Sequence, residues 1–383
     1  MSSRNPILTS LNRLKLGIFA TNGQGAAMTT VPEAYRATWP LSVKTAQQAD
    51  NAGFEAVVPY ARWKGYSTDK SADPSGTVFD PYTWAAGLSQ VTSNIGLFVT
   101  SHAPTVHPIL AAKQCATIDI MSGGRLGINV VGGWNKPELE MFGAPLKEHD
   151  QRYDLLAEWI QIVEKLWTEA DEFDFNGKFF TVTGGSSQPK PLQTPHPPIM
   201  NAGGSDRGRR FACEYSNMCF VIVKSEDPEK IRAEVDLYKR TARDEFGRDV
   251  QVWSFGFVVQ RDTQAEADKY LHHYSVECEN KGVADGWMAM QKEQTQLMPP
   301  AALPGFRQRF VAGSGGFPLV GTPDRIAERL ALLSSCGVDG MLLTWVDFVE
   351  GLDGFNRHVM PRLEKIGIRK PFVKSAQLGV AQR

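Results

Sequence analysis

Asp119-Ile-Met-Ser-Gly-Gly-Arg-Leu-Gly-Ile-Asn-Val-Val-Gly-Gly-Trp134 decides how the chain is read. It runs from the end of a helix through a Gly turn into a short apolar strand, Leu126 to Val131, and out into a Gly-rich loop. One amide, Asn129, interrupts the apolar run. A buried amide must find partners or cost a few kcal/mol. Gly132 and Gly133 allow a sharp turn or a close approach of backbone to ligand, and Trp134 adds a flat side chain with one N–H donor. Taken alone, the stretch is a core strand with a satisfied Asn. Its neighbours make it one wall of a pocket.

Outward in both directions, the same strand-then-helix unit recurs. Apolar strands are expected at Lys15–Ala20, Ala56–Tyr60, Ile95–Thr100, Leu126–Val131, Pro198–Ala202, Met218–Val223, Val250–Val259 and Met341–Trp345. Amphipathic or Pro-started segments between them are expected to be helical, among them Pro108–Met121 and Tyr153–Thr168, in which Leu156, Ile160, Val163, Leu166 and Trp167 share a face. Short continuous apolar strands belong to parallel sheets covered on both faces. Eight βα units predict a (β/α)8 TIM barrel, as a single domain over residues 1–383. Two segments exceed a minimal barrel. A hairpin insertion at 172–183 is announced by Asn176-Gly177, and 281–318, rich in Gly, Pro, Met and Gln, reads as an irregular lid containing Trp287, Met288, Met290 and Met298.

Composition narrows the function. The chain has 383 residues, 42% hydrophobic and 22% charged, and 41 basic against 42 acidic side chains leave a net charge of −1. No basic excess favours nucleic acid or an anionic membrane surface, and no apolar run is long enough to cross a bilayer, so a soluble cytoplasmic protein is expected. Five cysteines with no Cys-x-x-Cys pair point to reduced thiols. The histidines show no metal-ligand spacing, so no metal is expected.

In a barrel the chemistry sits where strands end at their C-termini. That rule nominates Tyr60-Ala61-Arg62-Trp63, Thr100-Ser101-His102, Asn129 with Gly132-Gly133-Trp134, Gly203-Gly204-Ser205, and Trp345-Val346-Asp347. Gly203-Gly204-Ser205 enters a helix directly after a strand, which suits a phosphate or a plain Ser N-cap. His149-Asp150-Gln151-Arg152-Tyr153 precedes a helix, as an Asp cap or as a pair of anion donors. His102 is a general acid–base candidate or a structural histidine, and Asp347 reads as a helix cap. No nucleophile elbow, Walker loop or carboxylate pair appears, as expected where a cofactor carries the reactive atoms.

At these residues the chain resembles the bacterial luciferase-like flavin monooxygenases, in the branch of the pyrimidine (uracil), dimethylsulfone and dibenzothiophene-sulfone monooxygenases. The matches run in order from about Leu16 to Leu363: the stretch through Trp134, Lys136-Pro137-Glu138, His149-Asp150-Gln151-Arg152-Tyr153, Ala202-Gly203-Gly204-Ser205, Gly321-Thr322-Pro323, and Leu-Leu-Thr-Trp-Val-Asp-Phe around Asp347. The resemblance implies a two-component enzyme. A separate flavin reductase supplies reduced FMN, O2 is the co-substrate, and a small organic substrate is oxygenated with cleavage of a C–N or C–S bond. Oxygen would load at flavin N5 or C4a. Matching positions imply FMN contacts at Ala61, Arg62, Asn129, Glu138, Arg152, Tyr153, Gly204 and Ser205, with Tyr153 and Ser205 on the phosphate. They imply an oxygen pocket of Val58, Thr100, Asn129 and Trp134, with His102 near the substrate, and a homodimer or homotetramer. The chain departs from the pyrimidine enzyme at Ser101 and His102, where that enzyme has small apolar residues, and at Arg62, where it has Lys. An F420-dependent hydride-transfer enzyme and a non-catalytic flavin-binding barrel are rival readings. The Trp134-Lys136-Pro137-Glu138 pattern weighs against the first, and the presence of Thr100 and Asn129 against the second.

Overall fold

The computed structural model describes residues 4–67, 73–291 and 298–373. Eight parallel strands close into a ring: β1 Lys15–Phe19, β2 Ala56–Val58, β3 Gly96–His102, β4 Leu126–Val131, β7 Ile199–Asn201, β8 Met218–Phe220, β9 Gln251–Gln260 and β11 Gly340–Thr344. Closure is made by β9, which pairs with β8 at its start and with β11 further along. The antiparallel hairpin β5 Phe173–Asn176 and β6 Thr181–Gly185 stands apart from the ring. Helices such as Pro108–Met121, His149–Thr168 and Pro323–Ser335 cover the outside.

Alternation along each strand sorts the side chains. Leu97, Val99, Ile128 and Leu343 face outward and bury against the helices. Ala56, Val58, Phe98, Met200, Met218, Trp253, Phe255 and Leu342 fill the lumen with Phe19 and Phe220. A one-turn helix, Pro6–Thr9, stoppers the N-terminal end, with Ile7 fully buried among the lumen residues. Asn5 Nδ2 donates to Leu126 O at 2.9 Å, and Gln251 Nε2 to Ile7 O at 3.0 Å.

Several expectations change. Segment 281–318 is not irregular where described. It holds helix Lys281–Met290, helix Leu303–Gly313 and a ninth parallel strand, β10 Phe317–Gly321; residues 292–297 lie outside the described part. Trp287 is buried, with its ring centroid 3.8 Å from that of Phe310. β10 takes the edge of β9 that the short β8 leaves open, from Phe317↔Gly256 to Gly321↔Gln260. The hairpin does not turn on Asn176-Gly177. Asn176 pairs with Thr181, and the four-residue loop is held by Glu158, whose carboxylate accepts from Lys178 N, Phe179 N and Phe180 N at 2.7, 2.8 and 3.1 Å. The last helical stretch, expected over Phe355–Ile366, begins earlier at Phe348, capped by Asp347, and breaks at Val359 before Met360–Lys365.

The N-terminal face of the barrel is knotted by buried charge. Arg125, 6% exposed, donates from Nε to Ser122 O, from Nη1 to Ile95 O and Thr92 Oγ1, and from Nη2 to Ser89 O and Thr92 O, at 2.7–3.2 Å. The Glu55–Arg369 pair, 2.9 Å apart, is buried on both sides. Replacing Arg125 by Met strands several buried carbonyls. It is expected to cost about 3–5 kcal/mol, read as a lowered urea midpoint; a loss under about 1 kcal/mol would show that the knot carries no stability.

Candidate active site

At the opposite face, β3 and β4 pair in register, Thr100 beside Asn129. Thr100 Oγ1 donates to Pro59 O at 2.6 Å. Its proton is therefore committed, and it accepts from Asn129 Nδ2 at 3.2 Å. That fixes the amide: Asn129 Oδ1 is buried and has no partner. A buried acceptor left open costs free energy unless a ligand donor completes it. Val58, the residue before Pro59, is buried in the apolar lumen cluster.

A second element is a cleft of about 380 Å³ lined by Gly132, Gly133, Trp134, Arg152, Tyr153, Gly203 and Ser205 among others. Ser205 is the N-cap of helix Asp206–Tyr215, and its side chain accepts from Gly208 N at 3.0 Å. Gly203 and Gly208 are in such close approach that a Cβ on either would strike the other's backbone; on Gly208 it would also strike the Tyr153 hydroxyl. Two glycines thus seat that hydroxyl against the helix N-terminus, where the macrodipole favours an anion. Arg152 Nη1 donates to Gly133 O at 3.1 Å, while its buried Nε has no partner. The strand end is held by Asn201, which donates to Val130 O and accepts from Gly203 N, and by Tyr238, whose hydroxyl donates to Gly203 O.

Helix His149–Thr168 starts earlier than its periodicity suggested. Its N-cap is Glu148, with no side-chain cap bond, so the Asp150 cap is not found. Arg152 and Tyr153 consequently lie in the first turns of the helix, facing the cleft.

The third element is the barrel mouth, a cavity of about 210 Å³ lined by Phe19, Ala20, Met28, Tyr60, Arg62, Tyr66, Phe220, Ile222 and Phe255 among others. Burial pushes the Tyr60 phenol up to about 12, so it stays protonated. Ala61 is buried at the end of β2. Glu138 lies beneath that turn: its Oε1 accepts from Trp63 N and Lys64 N, both at 3.1 Å, and stands 3.9 Å from Arg62 Nε. Its visible work is to hold the 61–64 loop. Trp134, 38% exposed, stands at the boundary of cleft and mouth, its ring centroid 6.3 Å from that of Tyr66.

The structure therefore brings Trp134, Arg152, Tyr153 and Ser205 to one cleft, with Gly204 on its wall-forming turn, and Val58, Thr100 and Asn129 to the lumen. Residue-by-residue reading nominated Tyr60 at its strand end but missed Tyr66, Asn201 and Tyr238. Only Asn201, an amide at a strand end before Gly-Gly, left a sequence signal. Among the described residues no cluster suited to a metal ion occurs, and no helix is long and apolar enough to cross a membrane.

A profile of the luciferase-like monooxygenases matches residues 14–340. The chain belongs to this family. It is 32% identical over 361 residues to the FMNH2-dependent dimethylsulfone monooxygenase of Pseudomonas putida, covering 92% of this chain and 96% of that protein. The pyrimidine monooxygenase RutA of Cronobacter turicensis is 27% identical over 361 residues, covering 91% and 92%. Among solved structures, riboflavin lyase RcaE, bound to modified FMN and riboflavin, superposes with a TM-score of 0.82 at 24% identity over 94% of each chain, a likeness of fold. Family membership makes the protein a flavin-dependent monooxygenase.

His102 illustrates how the mouth constrains chemistry. Burial, reinforced by the nearby Arg62 charge, lowers its imidazole from 6.5 to about 4. It is therefore neutral near pH 7 and cannot donate as an imidazolium. The unfolded chain binds this proton more readily. The neutral histidine's contribution to stability is thus complete above about pH 6.5 and is lost as pH falls toward 4, in all about 3 kcal/mol. The His102 ring resonances are expected not to titrate between about pH 5.5 and 8; a midpoint near 6.5 would refute the assignment.

Proposed function

We propose that the protein takes reduced FMN from a separate flavin reductase and uses it with O2 to oxygenate a small organic substrate, with cleavage of a C–N or C–S bond. The observation that carries this reading is the adjacency of an anion cradle, at Ser205, Tyr153 and Arg152, to a lumen whose open acceptor is Asn129 Oδ1. A flavin mononucleotide needs both: a phosphate site, and a polar partner for the edge of its ring. The partnerless Arg152 Nε and Asn129 Oδ1 are the groups such a ligand would complete.

Reduced FMN supplies the two electrons that activate O2, leaving one oxygen atom for the substrate and one for water. The chain's residues do the rest. Ser205, Tyr153 and Arg152 hold the phosphate, with Gly204 leaving the approach open, since a Cβ there would meet nothing within 4 Å. Asn129 accepts an N–H through an oxygen whose direction is fixed by Thr100 and Pro59. Thr100 itself orients the amide; its hydroxyl proton is already spent. Val58, Phe19, Phe220 and Phe255 exclude water. Trp134 closes the boundary between cleft and mouth. The sequence relatives that act on dimethylsulfone and on pyrimidines support a small polar substrate.

Two outcomes are expected. Ser205→Ala combined with Tyr153→Phe removes two hydroxyls from the phosphate cradle and should weaken FMN binding about tenfold or more, measured by fluorescence titration; unchanged affinity would remove the cradle from the argument. The protein supplied with reduced FMN and ¹⁸O2 should place one labelled atom in the oxygenated product of a pyrimidine or sulfone. Asn129→Ala should cut that incorporation at least about a hundredfold while still binding FMN; full incorporation in the variant would sink Asn129's role.

A further inference from the structure

The outer wall of the barrel mouth is not built by the strands alone. Helices Lys281–Met290 and Leu303–Gly313, with the residues that flank them, are tied to the loop that follows β1. Ser314 Oγ donates to Ala26 O, Met28 N to Val311 O and Asn280 N to Met28 O, each at 2.9 Å. Thr30 N donates to Cys278 O at 2.8 Å, and Thr29 forms an antiparallel bridge with Glu279. On the far side of the mouth, Gly286 packs on the Tyr66 backbone carbonyl so closely that a Cβ there would collide with it. A wall fixed through its main chain at both edges yields little to a ligand pressing on it.

Met28 is the side chain at this seam. It is 3% exposed. On one side it lines the mouth cavity with Phe19, Phe220, Ile222 and Phe255. On the other it belongs to the buried cluster of Val283, Ala284, Trp287 and Val311. Behind it Trp287, Phe306 and Phe310 pack together, the rings of Trp287 and Phe310 stacked at 3.8 Å between centroids. A single flexible thioether therefore separates the cavity from a packed aromatic cluster.

The cavity measures about 210 Å³. An apolar cavity of about 150 Å³ is enough for one benzene molecule. The mouth thus has room for a single six-membered ring with its substituents, or for a short-chain molecule, and none for a second ring. Its polar edge includes Tyr60, whose buried hydroxyl keeps its proton and has no acceptor for it. A neutral oxygen acceptor on a compact apolar body matches that lining.

From this arrangement we infer that Met28 is the residue that determines substrate size: the mouth selects a neutral oxo compound of one ring or less, a short sulfone or a single-ring lactam, its oxygen toward Tyr60 and its body against Met28, and it excludes multi-ring substrates. The inference rests on the flavin reading for the reaction and narrows its substrate class. Met28 sets the limit because it cannot retreat. The residues behind it are packed, and its own backbone is bonded to Val311 and Asn280.

The test is a size series on the FMN-loaded protein: dimethyl sulfone, methyl phenyl sulfone and diphenyl sulfone, with binding read by equilibrium dialysis. In a site without a wall, each added ring buries more apolar surface and tightens binding. Here methyl phenyl sulfone should bind at least as tightly as dimethyl sulfone, and diphenyl sulfone about tenfold or more weakly than methyl phenyl sulfone. Met28→Ala should bring diphenyl sulfone to within about threefold of methyl phenyl sulfone, while Met28→Leu, of similar volume, should keep the exclusion. Should the Ala variant fail to fold, Met28→Val should relieve the exclusion by about threefold. Diphenyl sulfone binding as tightly as methyl phenyl sulfone in the unaltered protein, or an exclusion unchanged in the folded shortened variant, overturns the inference. FMN affinity and ¹⁸O incorporation are measured separately. Failure to bind FMN, or absence of label in every sulfone that binds, would count against the flavin reading alone, because the size order is a binding result.

Discussion

The hydrogen-bond chain Asn129 Nδ2 to Thr100 Oγ1 to Pro59 O joins the ends of three adjacent strands, and the chemistry of the barrel depends on it. A proline carbonyl can only accept, so the Thr100 hydroxyl must give its proton there. The threonine then has only lone pairs to offer Asn129, and the amide can meet them only with its nitrogen. The one acceptor left over is aimed into the lumen. A single carbonyl on β2 thereby determines which atom of a residue two strands away is presented to a ligand.

Around that chain the molecule divides its labour between two ends. At the N-terminal face, Arg125, the Glu55–Arg369 pair and Asp119, which accepts from Leu192 N, Gln193 N and Gln193 Nε2, are buried charges held by several hydrogen bonds each. At the C-terminal face, polar atoms such as Asn129 Oδ1 and Arg152 Nε are buried and open. A barrel with all its strands parallel makes this polarity natural, since every strand delivers its loop to the same end. Dense networks of buried charge thus lie at the end away from the proposed ligand, while Asn129 Oδ1 and Arg152 Nε stand open at the end where a ligand can complete them.

The barrel was readable because its strands are buried on both faces and its glycines and prolines punctuate each unit. Arg125 could also be placed from the sequence, since it stands at the start of a strand and not at its end. Other features were hidden. β10 contains Pro318, which argues against a strand; in the structure it pairs only along one edge, beside the upper half of β9. The helices Lys281–Met290 and Leu303–Gly313 carry Gly282, Gly286, Pro304 and Gly305, and form because Trp287, Phe306 and Phe310 pack together. The hairpin turn depends on Glu158, a residue from another helix that no local pattern could supply.

What the sequence determined by itself was the order and period of the strands, hence the barrel, and the ends at which Asn129, Trp134 and Ser205 would stand. These follow from local patterning, because alternation and turn chemistry act over a few residues. Only the tertiary structure decided which atoms are spent and which are free: that Thr100 is committed to Pro59, that Gly208 seats the Tyr153 hydroxyl, that Glu138 braces a loop, and that Arg62 is stacked among aromatic rings from separate segments. Such facts depend on distances between side chains far apart in the chain, and hydrogen bonds are won or lost over tenths of an ångström, below anything that composition or spacing can express.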